Sequence, residues 1–148
     1  MKVLVQRVAH ASVEVNGDIK GSIGPGLLLL TGFGQGDDAT VCSPMASKIA
    51  NLRIFPDEEG KFHRSLLDIE GAVLVVPQFT LFADTSKGRR PEFFGALKPE
   101  LASGLVQIFA DSLETAGIKQ VAQGVFGAHM KVSLLNDGPV TIMIDSDS

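Results

Sequence analysis

Tryptophan and tyrosine are absent from this chain of 148 residues, and cysteine occurs once, at Cys42. A single cysteine can close no internal disulfide and build no cysteine cluster around a metal. Without Trp and Tyr, a non-specific single-strand binder lacks its usual stacking platform. Basic residues number 13 against 17 acidic ones, for a net charge of −4, which argues against general coating of nucleic acid. Histidine is scarce too: His10, His63 and His129 are scattered without ligand-like spacing, so no metal or other cofactor is expected. No apolar run approaches the roughly 18 residues needed to span a membrane. The start, MKVLVQRVAH, opens like a signal peptide, but Gln6, Arg7 and His10 break it and no small-residue cleavage site follows. The expected compartment is the cytoplasm, with no membrane partner. GxSxG, HExxH and P-loop motifs are all missing.

What is present is a globular composition, 45% apolar, on a length suited to one domain over 1–148. Lys2 to Val8 reads as a strand, with Val3, Val5 and Arg7 on one face and Leu4, Gln6 and Val8 on the other. Ala11 to Val15 reads as a second strand, entering a hairpin turn at Asn16-Gly17. The continuous apolar run Leu27 to Phe33 predicts a strand buried on both faces. Ser43 and Pro44 predict a helix start, followed by Met45, Ile49 and Leu52 on one face. A short strand over Arg53 to Phe55 precedes a charged turn, Asp57 to Lys61. Ala72 to Phe82 predicts a long strand, and Asp84 to Lys98 an irregular polar connection. The longest helix runs from about Pro99 to Ala116, with Leu101, Leu105, Ile108, Phe109 and Leu113 as its stripe and Gly117 as its stop. Strands Met130 to Leu135 and Val140 to Ile144 close the chain. The expected architecture is a mixed α/β single domain. Its sheets form a partly barrel-like layer arrangement, with two main helices on one side.

Polar and turn-forming residues interrupt two apolar strands. Pro77-Gln78-Phe79-Thr80-Leu81 places a proline where a ladder needs an N–H, which suggests that regular pairing stops there. Beyond it, the N–H groups of Gln78, Phe79 and Thr80 are free to face a ligand, as in an oxyanion hole. Thr80 has two readings, a sheet threonine or a nucleophile; the second needs a base, and no His or Lys lies nearby in sequence. Asn136-Asp137-Gly138-Pro139-Val140-Thr141 is the second interruption. Gly138-Pro139 fits either a trans hairpin turn or a cis step, although only about one X-Pro bond in twenty is cis. A cis step would turn two carbonyls toward one ammonium group. Lys87-Gly88-Arg89-Arg90-Pro91 packs three basic residues into five positions, as a solvated loop or a phosphate contact. Gly32, Gly34 and Gly36 lie between strand and helix, but their GxGxG spacing favours a plain connection. The pair Asp37-Asp38 suits a turn and helix start.

VQRV at 5–8, LRIF at 52–55, LVVPQFTLFAD at 74–84, KGRRPEF at 87–93, FGAHM at 126–130 and NDGPVT at 136–141 together resemble the D-aminoacyl-tRNA deacylases, in that family's order and over nearly the whole chain. The resemblance implies hydrolysis of the ester between a D-amino acid and tRNA, and removal of glycine from mischarged tRNA. It also implies a homodimer with active sites at the interface. Gly138-Pro139 would match a cis Gly-Pro motif that reaches into the partner's site, recognises the amino group and rejects an L side chain. Gln78, Phe79 and Thr80 would match the segment around the scissile ester. Phe126 and Met130 would match the lining of the terminal-adenosine pocket, and Arg7 an arginine bracing the Gly-Pro loop. The family usually has Ser before Gln-Phe-Thr, where this chain has Pro77, so no serine hydroxyl is available there. An aminoacyl ester is already activated, so backbone donors and the tRNA 2′-hydroxyl could suffice for its hydrolysis. Lys87, Arg89 and Arg90 are then expected on acceptor-stem phosphates.

Overall fold

A computed structural model describes residues 1–147. The strands in chain order are β1 (Lys2–Val15), β2 (Asp18–Ile23), β3 (Gly26–Gly32), β4 (Phe55–Pro56), β5 (Phe62–Arg64), β6 (Ala72–Pro77), β7 (Val121–Gln123) and β8 (Lys131–Asp145). The helices are α1 (Cys42–Asn51), between β3 and β4, and α2 (Pro99–Thr115), between β6 and β7. β1 pairs antiparallel with β2, β3 and β8, while β3–β6 and β6–β7 are parallel ladders. This is the mixed α/β domain that the pattern predicts, and both helices lie against one face of the sheet.

Alternation along the strands divides two cores. Leu27, Leu29, Val73 and Val75 face the helices, where they meet Ile49 of α1 and Phe109 and Leu113 of α2. Leu28, Leu74 and Val76 point the opposite way, into the curl of the sheet. Burial on both faces is why Leu27 to Leu30 reads as an unbroken apolar run. The curl is almost closed. A Cβ at Gly21 of β2 would lie 2.9 Å from the Gln123 oxygen of β7 and 3.0 Å from Leu74 Cδ1, so only glycine permits this approach.

Several boundaries differ from expectation. β1 is one strand, because a bulge joins the two predicted ones: Val8 pairs Asn136 and His10 pairs Leu135, two steps against one. The extra residue brings Ala11 and Val13 onto the face of Val8. α1 starts at Cys42, after a 3-10 turn over Ala39–Val41 that Asp38 caps, its carboxylate accepting the Thr40 N–H at 2.9 Å; α1 itself has Val41 at its N-cap and no side-chain cap. On α2 the buried stripe is Ala102, Val106, Phe109, Ala110 and Leu113, while Leu101 and Ile108 face outward. Alanines on the inner side let the helix sit close to the core. The strand predicted over Ala72 to Phe82 ends at Pro77 and becomes a 3-10 turn, Phe79–Phe82, so the sheet loses Gln78 to Phe82. The two last predicted strands are one, β8, interrupted by an outward loop. Among the described residues no helix is long and apolar enough to cross a membrane.

Candidate active site

The parallel strands β3 and β6 end side by side, and a cleft of about 690 Å³ opens beyond their carboxyl ends. Such crevices are a common ligand position in α/β sheets. Pro77 marks the opening. It is the last residue of β6 to pair, opposite Thr31, and that pair is closed by the Gln78 N–H, which donates to the Thr31 carbonyl at 2.7 Å. On the other edge of β6, where Val73 N–H reaches the Gln120 carbonyl, Pro77 has no N–H with which to extend the pairing toward β7. The Gln78 N–H is spent, which corrects the expectation that three successive donors face a ligand. The N–H groups of Phe79 and Thr80 begin the 3-10 turn and have no acceptor among the described residues. Thr80 is exposed, and its hydroxyl accepts a hydrogen bond from the Gln78 side-chain amide. An amide is no base, so this hydrogen bond does not activate the hydroxyl.

Gln78, Phe79, Phe126 and Met130 all line this cleft, although the second pair follows the first by most of two elements. The Phe79 ring meets Phe93 edge-on, with centroids 5.0 Å apart. Met130 sulfur accepts the Val125 N–H at 3.4 Å, which ties the turn carrying Phe126 to the floor. Gln35, Phe93, Phe94, Lys98 and His129 also line the cleft; Phe93 and His129 fall inside the motifs KGRRPEF and FGAHM without a role assigned to them, and no motif covers Phe94 or Lys98. The one available signal is Phe93-Phe94 within an otherwise polar connection. Phe79, Phe94 and Phe126 are 57%, 78% and 37% exposed around this one opening. They form an aromatic surface despite the absence of Trp and Tyr, and so correct the expectation that none exists.

Gly138 and Pro139 lie elsewhere. Between the pairs Gln6↔Thr141 and Val8↔Asn136, β1 advances two residues and β8 five, so three residues of β8 loop out opposite Arg7. The Gly138–Pro139 peptide in this loop is cis, as expected from the resemblance. Arg7 is buried and donates from Nε to the Asp137 carbonyl at 3.0 Å and from Nη1 to the Ile54 carbonyl at 2.8 Å. The Asn136 amide donates to the carbonyls of Arg7, at 2.9 Å, and Val140, at 3.1 Å. At Gly138, φ is +136°, and a Cβ would stand 2.8 Å from Val140 Cγ2 and 3.1 Å from Arg7 Nη2. Any side chain there would strike the brace.

Lys87, Arg89 and Arg90 are exposed on a loop whose ends are joined by paired backbone bonds between Asp84 and Glu92, of 2.7 and 2.9 Å. Hydrogen bonds from the Ser86 hydroxyl and N–H hold the Asp84 carboxyl below its usual range. The glycine loop is internally satisfied: Gly34 N–H donates to the Asp37 carboxylate at 2.7 Å and Gln35 N–H to the Gly95 carbonyl at 2.9 Å. Cys42 is buried in α1, away from the cleft, and burial above all pushes its thiol up to about 11, which leaves no thiolate at neutral pH.

The model of the D-Tyr-tRNA(Tyr) deacylase family matches residues 4–145. A D-aminoacyl-tRNA deacylase of Roseiflexus sp. (strain RS-1) is 56% identical over 146 residues, covering 99% of this chain and 94% of the relative. One of Chloroflexus aurantiacus is 57% identical, covering 99% and 91%. Among solved structures, a c-Myc DNA Unwinding Element Binding Protein superposes with a TM-score of 0.91 at 41% identity, covering 98% of each chain. A probable eukaryotic D-amino acid tRNA deacylase superposes with a TM-score of 0.85 at 18% identity, covering 97% of each, and shares the fold.

Proposed function

The chain belongs to the D-Tyr-tRNA(Tyr) deacylase family, and from that premise we propose how its own groups carry out the reaction. It is a hydrolase that acts on D-aminoacyl-tRNA. The ester between the amino acid and the terminal ribose lies against Gln78, Phe79 and Thr80, with the terminal adenosine between Phe126 and Met130. The observation that carries this reading is the unengaged N–H of Phe79, on the wall of the cleft that begins at Pro77, with the unengaged N–H of Thr80 next to it in the same 3-10 turn. Water adds to the ester carbonyl, whose oxygen becomes negative and is met by these two donors. The carbon–oxygen bond to the ribose then breaks, and the proton from water passes by way of the neighbouring 2′-hydroxyl to the leaving oxygen. Thr80 has no base and contributes its backbone rather than its hydroxyl.

Selection against L substrates falls to Gly138 and Pro139 of a second subunit, which bind the ammonium group and leave no space for an L side chain. Arg7 holds that loop. Glycine, lacking a side chain, passes the same filter, so glycyl-tRNA charged on the wrong tRNA is also a substrate. Lys87, Arg89 and Arg90 meet acceptor-stem phosphates, and the enzyme works in the cytoplasm. Hydrolysis of D- and L-charged tRNA by wild type and Thr80→Ala tests the proposal. The D ester should be cleaved at least about a hundredfold faster than the L ester, and Thr80→Ala should stay within about tenfold of wild type, since no proton-transfer step is lost. Replacing the terminal 2′-hydroxyl by hydrogen should abolish cleavage. Loss of activity in Thr80→Ala together with retention on the deoxy substrate would favour a threonine nucleophile.

A further inference from the structure

Phe94 is the most exposed large apolar side chain among the described residues, at 78%. Its backbone, by contrast, is fixed. Gln35 donates its side-chain amide to the Phe94 carbonyl, Gln35 N–H donates to the Gly95 carbonyl at 2.9 Å, and Leu97 N–H donates to the Phe33 carbonyl at 2.9 Å. Gly34 and Ala96 add a β-bridge beside it. Neighbouring Phe93 is half-buried and packs on Phe79, so hydrophobic burial explains Phe93 and leaves Phe94 unexplained. A bare phenyl ring on a pinned backbone is pre-ordered for a flat apolar partner, because little freedom remains for binding to remove. The ring lines the rim of the cleft, and Lys98, exposed and without a carboxylate partner among the described residues, lines the same rim. A flat apolar face beside a cation matches the two faces of a nucleotide, its base and its phosphate.

Building on the reading of this cleft as the terminal-adenosine site, we propose that Phe94 and Lys98 form a second nucleotide subsite. Phe94 stacks on the base immediately 5′ of the terminal adenosine, and Lys98 meets the phosphate joining the two. The stack touches a π-face and no base edge, so it contributes affinity whatever the base. It is remote from the scissile ester and equally present before and during the reaction. It therefore acts on KM and leaves kcat alone.

Two substrates separate this subsite from the chemistry: D-aminoacyl-tRNA, and the D-aminoacyl ester of adenosine alone, which lacks the upstream nucleotide. On the tRNA, Phe94→Ala should raise KM about tenfold with kcat nearly unchanged, a typical effect of one aromatic–base stack. Phe94→Trp should restore KM, and Phe94→Leu, which keeps apolar bulk but no π-face, should not. On the adenosine ester all three variants should match wild type. Lys98→Gln should weaken the salt dependence of KM on the tRNA only. Equal losses on both substrates would overturn the proposal by placing Phe94 on the adenosine itself or in the fold. No loss on the tRNA, with wild type active on both, would overturn the subsite alone. Wild type inactive on both would overturn the reading of the cleft, and the subsite with it.

Discussion

Arg7 is the one buried charged side chain among the described residues. Burying a guanidinium is costly unless its donors are met, and here two carbonyls and the Asp137 carboxylate, 3.8 Å away, surround it. Arg7→Met keeps the apolar stem but leaves the Ile54 and Asp137 carbonyls without a donor. The expected loss is about 2–4 kcal/mol, from the cost of unsatisfied buried polar groups. A urea titration measures it, and a loss below about 0.5 kcal/mol would mean that Arg7 is no brace. Arg7→Lys offers a point charge in place of a planar fork and should recover less than half. Arg7 is legible in the sequence because it shares a face with Val3 and Val5, where a charge has no hydrophobic reason to be. The spent N–H of Gln78 is not legible. Its acceptor, Thr31, lies far upstream, and only the parallel register of β3 with β6 brings the two together.

At the scale of elements, periodicity reveals the strands and the existence of both helices. Their edges are set by groups that periodicity does not see. β6 stops at Pro77, which has no N–H to extend the pairing toward β7, and the strand expected to continue to Phe82 becomes a turn. α2 exposes Leu101 and Ile108 because Ala102 and Ala110 form the closer-packing side. The basic loop is legible as a charge run, and its consequence can be tested. It is anchored through the backbone of Asp84 and Glu92, so its three cationic side chains carry no part of the fold. Neutralising Lys87, Arg89 and Arg90 together to Gln should leave the thermal midpoint within about 2 °C, as expected of surface changes. It should weaken tRNA binding and reduce the slope of log K against log salt by about 2–3, near 0.9 for each phosphate no longer neutralised. An unchanged slope would make the run a solvated loop.

Across the whole molecule, the two motifs that the proposed reaction brings together lie apart in one subunit. On β1, Arg7 pairs with Leu27 at one end of β3 and Val3 pairs with Thr31 toward the other. Gly138 faces Arg7, whereas Gln78 is tied to Thr31. The two motifs are thus offset by four residues along the sheet, about 13 Å at ~3.3 Å per residue, besides their separation across it. A subunit cannot fold its own Gly138–Pro139 loop onto its own Phe79 and Thr80 without breaking the β1–β8 ladder. A second copy related by a two-fold axis can bring the loop there, and symmetry then completes two sites at once. β8 pairs only with β1 among the described residues, and it exposes Leu135 and Met143, 54% and 48% accessible, on its outer side. A long unpaired edge that exposes apolar side chains among its polar ones invites a partner. The expected species at micromolar concentration is therefore a dimer, measured by solution scattering. A fully active monomer would refute the shared site. Complementation tests the sharing directly. Gly138→Val damages only the donated loop, and Phe79→Pro removes one cleft N–H and damages only the receiving side. Each alone should be nearly inactive. Unfolded together and refolded at equal amounts, half of the dimers should be mixed, each with one intact site, so activity should recover to about a quarter of wild type. No recovery from a verified mixed dimer would place both motifs in the same subunit's site.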